Sequence, residues 1–355
     1  ANRVLISYDG IRMNNAIFRS GNLQNIISID PFYIDQVEID HGPGSVIYGS
    51  DAIGGVLNFQ SPSLIYSFDT AYYSDSKAAM RYSSANSEST GHLSFRLGTQ
   101  KFASSTSFTY SNFNDLLMGS NGPDEYLRRQ FVTEGFAGDK IAVNPDPELQ
   151  VGTAYRQLNI NQKLGYKLNE RSTLEYAFGH STTSDIPRYD RLNLYGSNDS
   201  LRYSRWHYGP QVWMINKLQF NCKNPTFFHD ELNAIIAVQN FEESREIRSF
   251  NDTFGTVNSE KLIAYSFNLD VKKNLSSRNT FFYGLEAIRN EINSEVDFLR
   301  NPFGNADPSN LRTRYPDGSD WSSYAAYVNL KSRFGAKLSW QNPIKYNIID
   351  INANL

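Results

Sequence analysis

Over much of the chain apolar and polar residues alternate with a period of two. The clearest run puts Ile263, Tyr265, Phe267, Leu269 and Val271 on one face, and Ala264, Ser266, Asn268, Asp270 and Lys272 on the other. Ten residues of strict alternation specify a β-strand with one apolar face, about the length that crosses a bilayer at a tilt. Leu158, Ile160, Leu164, Tyr166 and Leu168 alternate in the same way with Asn159, Asn161, Lys163 and Lys167. Leu174, Tyr176 and Phe178 alternate with Thr173, Glu175 and Ala177, and Leu93, Phe95 and Leu97 with Ser94, Arg96 and Gly98. Leu232, Ala234, Ile236 and Val238 form another apolar face, as do Phe281, Tyr283, Leu285 and Ala287. The opposite faces carry Lys, Asp, Arg and Glu, which a dry core would bury at high cost without partners. A wet or plugged barrel interior accommodates them, whereas a soluble β-sandwich does not. The pattern therefore predicts a membrane all-β protein, a transmembrane antiparallel β-barrel with about 10–11 strands in this chain.

The connections alternate in length. Short turns are expected near 99–101, 167–171, 224–230 and 274–278, and long loops near 112–154, 184–208, 243–259 and 295–320. Short turns on one side of the membrane and long loops on the other are what outer-membrane barrels show. Composition agrees without deciding. Charged residues make up 20% and hydrophobic ones 40%, yet aromatics reach 14%, with 22 Tyr, 23 Phe and 4 Trp. A mean hydropathy of -0.50 hides lipid-facing strands, because each averages an apolar with a polar face. A secreted Tyr-rich β-sandwich or propeller would have the same composition. The net charge of -3 offers no basic field for nucleic acid. Cys222 is the single cysteine, so neither a disulfide framework nor a thiolate zinc site is available. No apolar stretch is long enough for a transmembrane helix. The N-terminal ANRVLISYDG has no basic region followed by an apolar core, so the expectation is a start within a longer precursor.

Residues 3–63 have a different texture. Val4-Leu5-Ile6 is a short strand ending at the turn Tyr8-Asp9-Gly10. Asp30-Pro31 reads as a helix start, with Asp30 capping and Pro31 in the first position, over a single turn to Asp35. Gln36-Val37-Glu38-Ile39 is an alternating strand. Then Gly42, Gly44, Gly49, Gly54 and Gly55 interleave with Val46, Ile47, Val56 and Leu57, which predicts tight turns in a closely packed segment. The segment has neither Gly-Lys-Ser/Thr nor a regular G-x-G-x-x-G opening a helix, which argues against phosphate binding.

The order VLISYDGIRMNN, then IDPFYIDQVEIDHGPGSVIYGSDAIGGVLNFQS, resembles the C-terminal half of the plug domain of TonB-dependent outer-membrane receptors, almost unbroken from Val4 to Ser61. Asp9, Gly10, Gly42, Pro43, Tyr48, Gly49, Gly54 and Gly55 carry that plug motif. Two departures are mild: His41 stands where the family usually has Arg, and Gln60 follows Phe59 where Thr or Ile is common. Histidine ligates haem in some members, but a lone His41 without a placed partner reads as structural. The resemblance implies an α+β plug inside the lumen, its C-terminal part at 1–63, and the N-terminal half of the barrel at 64–355. Because family barrels have 22 strands when complete, about half would lie outside this chain.

In that family the plug occludes the barrel, and substrate binds between its outer face and the extracellular loops. TonB, driven by the inner-membrane proton gradient, pulls on an N-terminal segment to open a path. The implied partners are TonB, outer-membrane lipid, a metal-chelate substrate and, as a further candidate, a surface lipoprotein; no cofactor or nucleic acid is implied. Gly42-Pro43-Gly44-Ser45 and Ala52-Ile53-Gly54-Gly55 are similar to siderophore, haem and cobalamin receptors rather than to glycan importers of the starch-utilisation type. NGPDEYLRRQFV, SDIPRYDRL and YGPQVW look like a Bacteroidetes branch labelled haem or iron receptor. An oligosaccharide or peptide importer of the same architecture stays open. An adhesin or partner-docking barrel is the rival of another class, but it has no need of a plug. Enzyme chemistry is not expected: His41, His92, His180, His207 and His229 lack H-E-x-x-H spacing, and no G-x-S-x-G elbow or metal-ligand set is apparent.

The loop after Asp9-Gly10 places Arg12, Asn14, Asn15 and Arg19 toward the substrate by resemblance. Arg128, Arg129, Arg188, Tyr189, Arg191, Arg205, Trp206 and His207 cluster in two long loops. Arg together with aromatics suits an anionic, planar or catecholate ligand. Each of these residues also fits a solvated loop or an interfacial aromatic.

Overall fold

The computed structural model describes residues 4–13, 15–17, 23–41, 52–69, 71–135, 138–196, 199–299, 311–335 and 338–353. Four short strands form the N-terminal sheet: β1 (Val4–Tyr8), β2 (Ile11–Arg12), β3 (Gln36–Asp40) and β4 (Gly55–Gln60), in the order β2-β1-β4-β3. The pair β1 and β4 is parallel; the other two pairs are antiparallel. Asp9 and Gly10 make the two-residue connection from β1 to β2 with φ of 46° and 80°. Positive φ at both central positions is the hairpin geometry that an Asp-Gly dipeptide favours. The expected capped turn is present at Pro31–Tyr33, where the Asp30 carboxylate accepts from the Phe32 N–H at 2.9 Å. It is a single 3₁₀ turn, and the six residues Leu23–Ser28 before it are also 3₁₀ helix.

The second sheet begins with β5 (Tyr73–Ser83), β6 (Glu88–Gly98) and β7 (Phe102–Phe113). A loop follows with four short strands, β8 (Leu116–Leu117), β9 (Gln130–Thr133), β10 (Lys140–Val143) and β11 (Leu149–Gln150). Next are β12 (Tyr155–Asn169), β13 (Ser172–Thr183), the loop strands β14 (Ile186–Pro187) and β15 (Tyr203–Tyr208), and β16 (Val212–Cys222). The chain then runs through β17 (Glu231–Ser249), β18 (Gly255–Asn274), β19 (Asn279–Leu299), β20 (Ser319–Arg333) and β21 (Ser339–Asn352). The wall is an antiparallel meander, β5-β6-β7-β12-β13-β16-β17-β18-β19-β20-β21, with β14 and β15 pairing beside it. Among the described residues β5 and β21 are its edges, and the barrel is not closed.

The expected strands are all present, and their apolar faces point outward. Tyr265 and Phe267 are 42% and 37% exposed, while Leu262 and Ala264 on the other face are buried. The short turns also fall where expected. One loop is corrected. Instead of a long connection at 243–259, β17 continues to Ser249 and β18 starts at Gly255, with Glu243 opposite Glu260 and Ile247 opposite Thr256. Likewise β19 runs to Leu299. These extensions stand beyond the apolar outward run, so side-chain alternation fades while backbone pairing persists.

The inward face is corrected too. It is polar where Asn161, Lys163, Gln239, Glu260 and Asn290 are buried. On β16 and β17, however, Trp213, Ile215, Ile235 and Ala237 pack with Ile6, Tyr8, Ile11, Met13 and Ile29 of the N-terminal sheet. Tyr8 meets Trp213 edge-on, with centroids 5.4 Å apart. The two sheets thus share a core, because the inner face of the wall buries apolar area against the small sheet as any interior does.

Candidate functional site: the plug seat and the outer loop layer

The N-terminal sheet is tied to the wall through the buried carboxylate of Asp9. Lys163 Nζ on β12 and Lys217 Nζ on β16 lie 3.2 and 3.7 Å from Asp9 Oδ2. The Ser61 N–H and hydroxyl donate to the same carboxylate at 2.8 and 2.6 Å. Lys163 also donates to Ser61 Oγ and to the Pro62 carbonyl, and Lys217 donates to the Asp9 carbonyl at 3.2 Å. Burial alone would raise the Asp9 carboxyl. The two ammonium groups and the Ser61 donors overcome it and hold the pKa at about 2. Burial also pushes the neighbouring Tyr33 phenol up to about 12, and its hydroxyl donates to Ser105 on β7. Nearer the loops, Gln157 and Gln239 reach from the wall to the carbonyls of Ile27 and Arg12, at 2.6 and 2.9 Å.

The plug candidates separate. Asn14, Arg19, Gly42, Pro43, Tyr48 and Gly49 lie outside the described residues. Arg12 borders a cavity of about 450 Å³ between the sheet and the wall, shared with Asn58, Asp270, Glu286, Tyr327 and Lys345. Asn15 turns inward on its own loop and accepts from the Ile17 N–H at 3.0 Å. Gly10 makes the hairpin. Gly54 is exposed, and a Cβ on Gly55 would stand 2.6 Å from the Asp40 carbonyl oxygen at a φ of +127°, so the approach of β3 to β4 requires glycine there. His41 is exposed at the end of β3.

The loop candidates do come together, but most of their charge is already engaged. Arg188 donates to both Asp190 oxygens, at 2.6 and 2.7 Å, and lies over the Trp206 and Tyr208 rings. Its hydrogen bonds hold the Asp190 carboxyl low. Arg128 is buried, donates to Asn193 at 3.1 Å and faces the Tyr189 ring. Tyr189 in turn donates to the Tyr126 carbonyl. Arg205 clasps Glu134 at 2.9 and 3.3 Å and Glu246 at 2.8 Å. Arg248 binds Asp139 with both terminal nitrogens. This staples the β9–β10 hairpin to β15 and β17. Arg129 and Arg191 are different: both are largely exposed, with their nearest carboxylates 3.7 Å away. The partners Glu134, Asp139 and Glu246, and Lys163 and Lys217 beneath Asp9, escaped sequence reasoning. Only the inward register of Lys163 was a signal, and no local pattern says which distant charge a loop carboxylate will meet.

Residues 1–56 match the TonB-dependent Receptor Plug Domain. The chain is 40% identical over 57 residues to the vitamin B12 transporter BtuB of Vibrio vulnificus, a stretch covering 16% of this chain and 9% of that protein. It is 34% identical over 99 residues to a hemin receptor of Yersinia enterocolitica, covering 28% and 13%. Among solved structures, the copper transporter OprC superposes with a TM-score of 0.72 at 13% identity, over 99% of this chain and 48% of that one. The FrpB iron transporter of Neisseria meningitidis gives 0.67 at 14% identity, over 99% and 51%. The chain spans about half the length of these solved structures. Residues 1–56 thus carry a TonB-dependent receptor plug domain, and the chain as a whole shares the fold of these two solved transporters.

Proposed function

We propose that the chain is the plug seat and first wall of a bacterial outer-membrane receptor that imports a scarce metal chelate, an iron–siderophore, haem or cobalamin-like complex, driven by TonB. The observation that carries this reading is the small sheet seated on the inner face of a wall whose outer face is apolar. A plug held by buried ion pairs and a shared core has no use in a passive pore or an adhesin, but it is required where passage must wait for energy. We assign residues 1–63 to the plug and 64–355 to the barrel. The names of the relatives, which include a vitamin B12 transporter and a hemin receptor, favour a metal chelate over an oligosaccharide or peptide.

In this reading substrate meets the outer end of the plug, through Arg12, Asn14, Asn15 and Arg19, and the loop layer above it. Arg129 and Arg191 are the loop cations best placed to meet an anionic ligand, whereas Arg128, Arg188, Tyr189, Arg205, Trp206 and His207 shape the layer. TonB would engage a segment outside this chain. Purified full-length receptor titrated with haem, a ferric catecholate, cyanocobalamin and a maltooligosaccharide tests the substrate class. One of the metal chelates should bind, and Arg129→Ala with Arg191→Ala should weaken it several-fold. Saturable binding of the oligosaccharide alone would overturn the assignment.

A further inference from the structure

Among the described residues outside the plug seat, the fold gathers one set of donor atoms that the spacing of the histidines along the chain does not show. Asp185, His207 and Glu246 bring an imidazole nitrogen and two carboxylate oxygens within 4.8 Å of one another. They come from three separate segments. His207 on β15 stands directly opposite Glu246 on β17 and opposite Pro187 on β14, so the His207 and Glu246 side chains are cross-strand neighbours. Asp185 comes from the strap entering β14. It is brought in close because Gly209, at a φ of +112°, has no Cβ: one built there would stand 2.9 Å from the Ser184 carbonyl oxygen and 3.1 Å from Asp185 Cα.

Two further observations point to a ligand. His207 Nδ1 is closed off from solvent and has no hydrogen-bond partner among the described residues, whereas a buried ring nitrogen normally finds one. Glu246 is already oriented: Arg205 Nη1 holds its Oε2 at 2.8 Å, and Arg205 is itself fixed by Glu134. That is the outer support a metal-binding carboxylate ordinarily has.

We propose that Asp185, His207 and Glu246 bind one divalent first-row transition ion of the Zn²⁺ class. The ion would pin the β14 strap and β15 to the extended end of β17. One imidazole with two carboxylates suits such an ion, with donor bonds of about 2.0–2.2 Å once the exposed Asp185 rotates inward and water completes the shell. Calcium and magnesium prefer all-oxygen shells and are disfavoured by the imidazole. The inference does not rest on the transport reading, because its ligand is the bare ion.

The test uses full-length receptor stripped with a chelator and titrated with Zn²⁺ by calorimetry, and with Co²⁺ by visible absorption. Wild type should take up one equivalent, with Co²⁺ bands of a nitrogen-and-oxygen shell. Asp185→Asn, which changes an exposed side chain without touching packing, and His207→Gln should each weaken binding by about tenfold or more. Asp190→Asn, a nearby carboxylate paired to Arg188, and His229→Gln, in a turn at the other end of the wall, should leave it unchanged. Absence of stoichiometric binding by wild type, or binding that Asp185→Asn and His207→Gln leave intact, overturns the site. Failure of chelate import with Zn²⁺ binding preserved would count against the transport reading alone.

Discussion

At the scale of single residues, Asp9 has the most to explain. Its backbone makes the positive-φ hairpin turn, and its side chain is the carboxylate that two buried wall lysines share. Asp9→Asn keeps the turn and removes the charge. It should cost about 3–5 kcal/mol, the usual penalty for breaking a buried ion pair from one side. A denaturant titration of full-length receptor measures it, with Trp213 fluorescence reporting the Tyr8 contact. The pH dependence follows from the sign of the shift. The folded carboxyl titrates at about 2, below its ordinary value of 3.8. The stabilisation, about 2 kcal/mol, is therefore complete above roughly pH 4 and lost as pH falls toward 2. From pH 6 to pH 2 the stability gap between wild type and Asp9→Asn should narrow by about 2 kcal/mol; parallel curves would show that Asp9 is not the titrating group. The turn itself was legible in Asp9-Gly10, but its partners were not. The two lysines sit more than 150 residues downstream in sequence, and a period-two pattern shows only that Lys163 faces inward.

At the scale of strands, alternation was a sufficient guide wherever lipid meets one face and the plug or lumen the other. Ile263, Tyr265 and Phe267 point outward as their spacing requires. The guide failed in two places for one reason: the surroundings of a face changed while the backbone ladder did not. Beyond the bilayer, both faces of β17 and β18 meet water and loops, so Glu242-Glu243-Ser244-Arg245 reads as a connection although it is paired strand. Against the plug, both faces of β16 and β17 are apolar, so Ile235 and Ala237 carried no inward signature. The outward face gives a direct prediction. Phe267→Arg puts a cation into the apolar band and should cost about 2–4 kcal/mol, whereas Arg129→Ala in a loop should stay within about 0.5 kcal/mol. Refolding of full-length receptor into lipid vesicles, followed in denaturant, compares them. Equal stability of the two variants would contradict the assignment of that face to lipid.

At the scale of the molecule, the loop layer stands above a small sheet that charge and packing fix to the wall, and the proposed function uses that layer to gather ligand. The plug was legible because its turns need particular residues, Asp-Gly, Asp-Pro and Gly-Gly, at fixed places. The loop layer was legible as a cluster of Arg and aromatics but not in its wiring, since Arg128 and Arg205 reach from one segment to another while Arg188 pairs within its own loop. The proposed function is energised import through the plugged barrel. Its most direct test is accumulation of labelled haem, ferric catecholate and cyanocobalamin in cells carrying the full-length receptor, with and without TonB. One of these chelates should accumulate only when TonB is present and the inner membrane is energised. Accumulation that ignores TonB, or none of any chelate while the receptor is intact in the outer membrane, would contradict it.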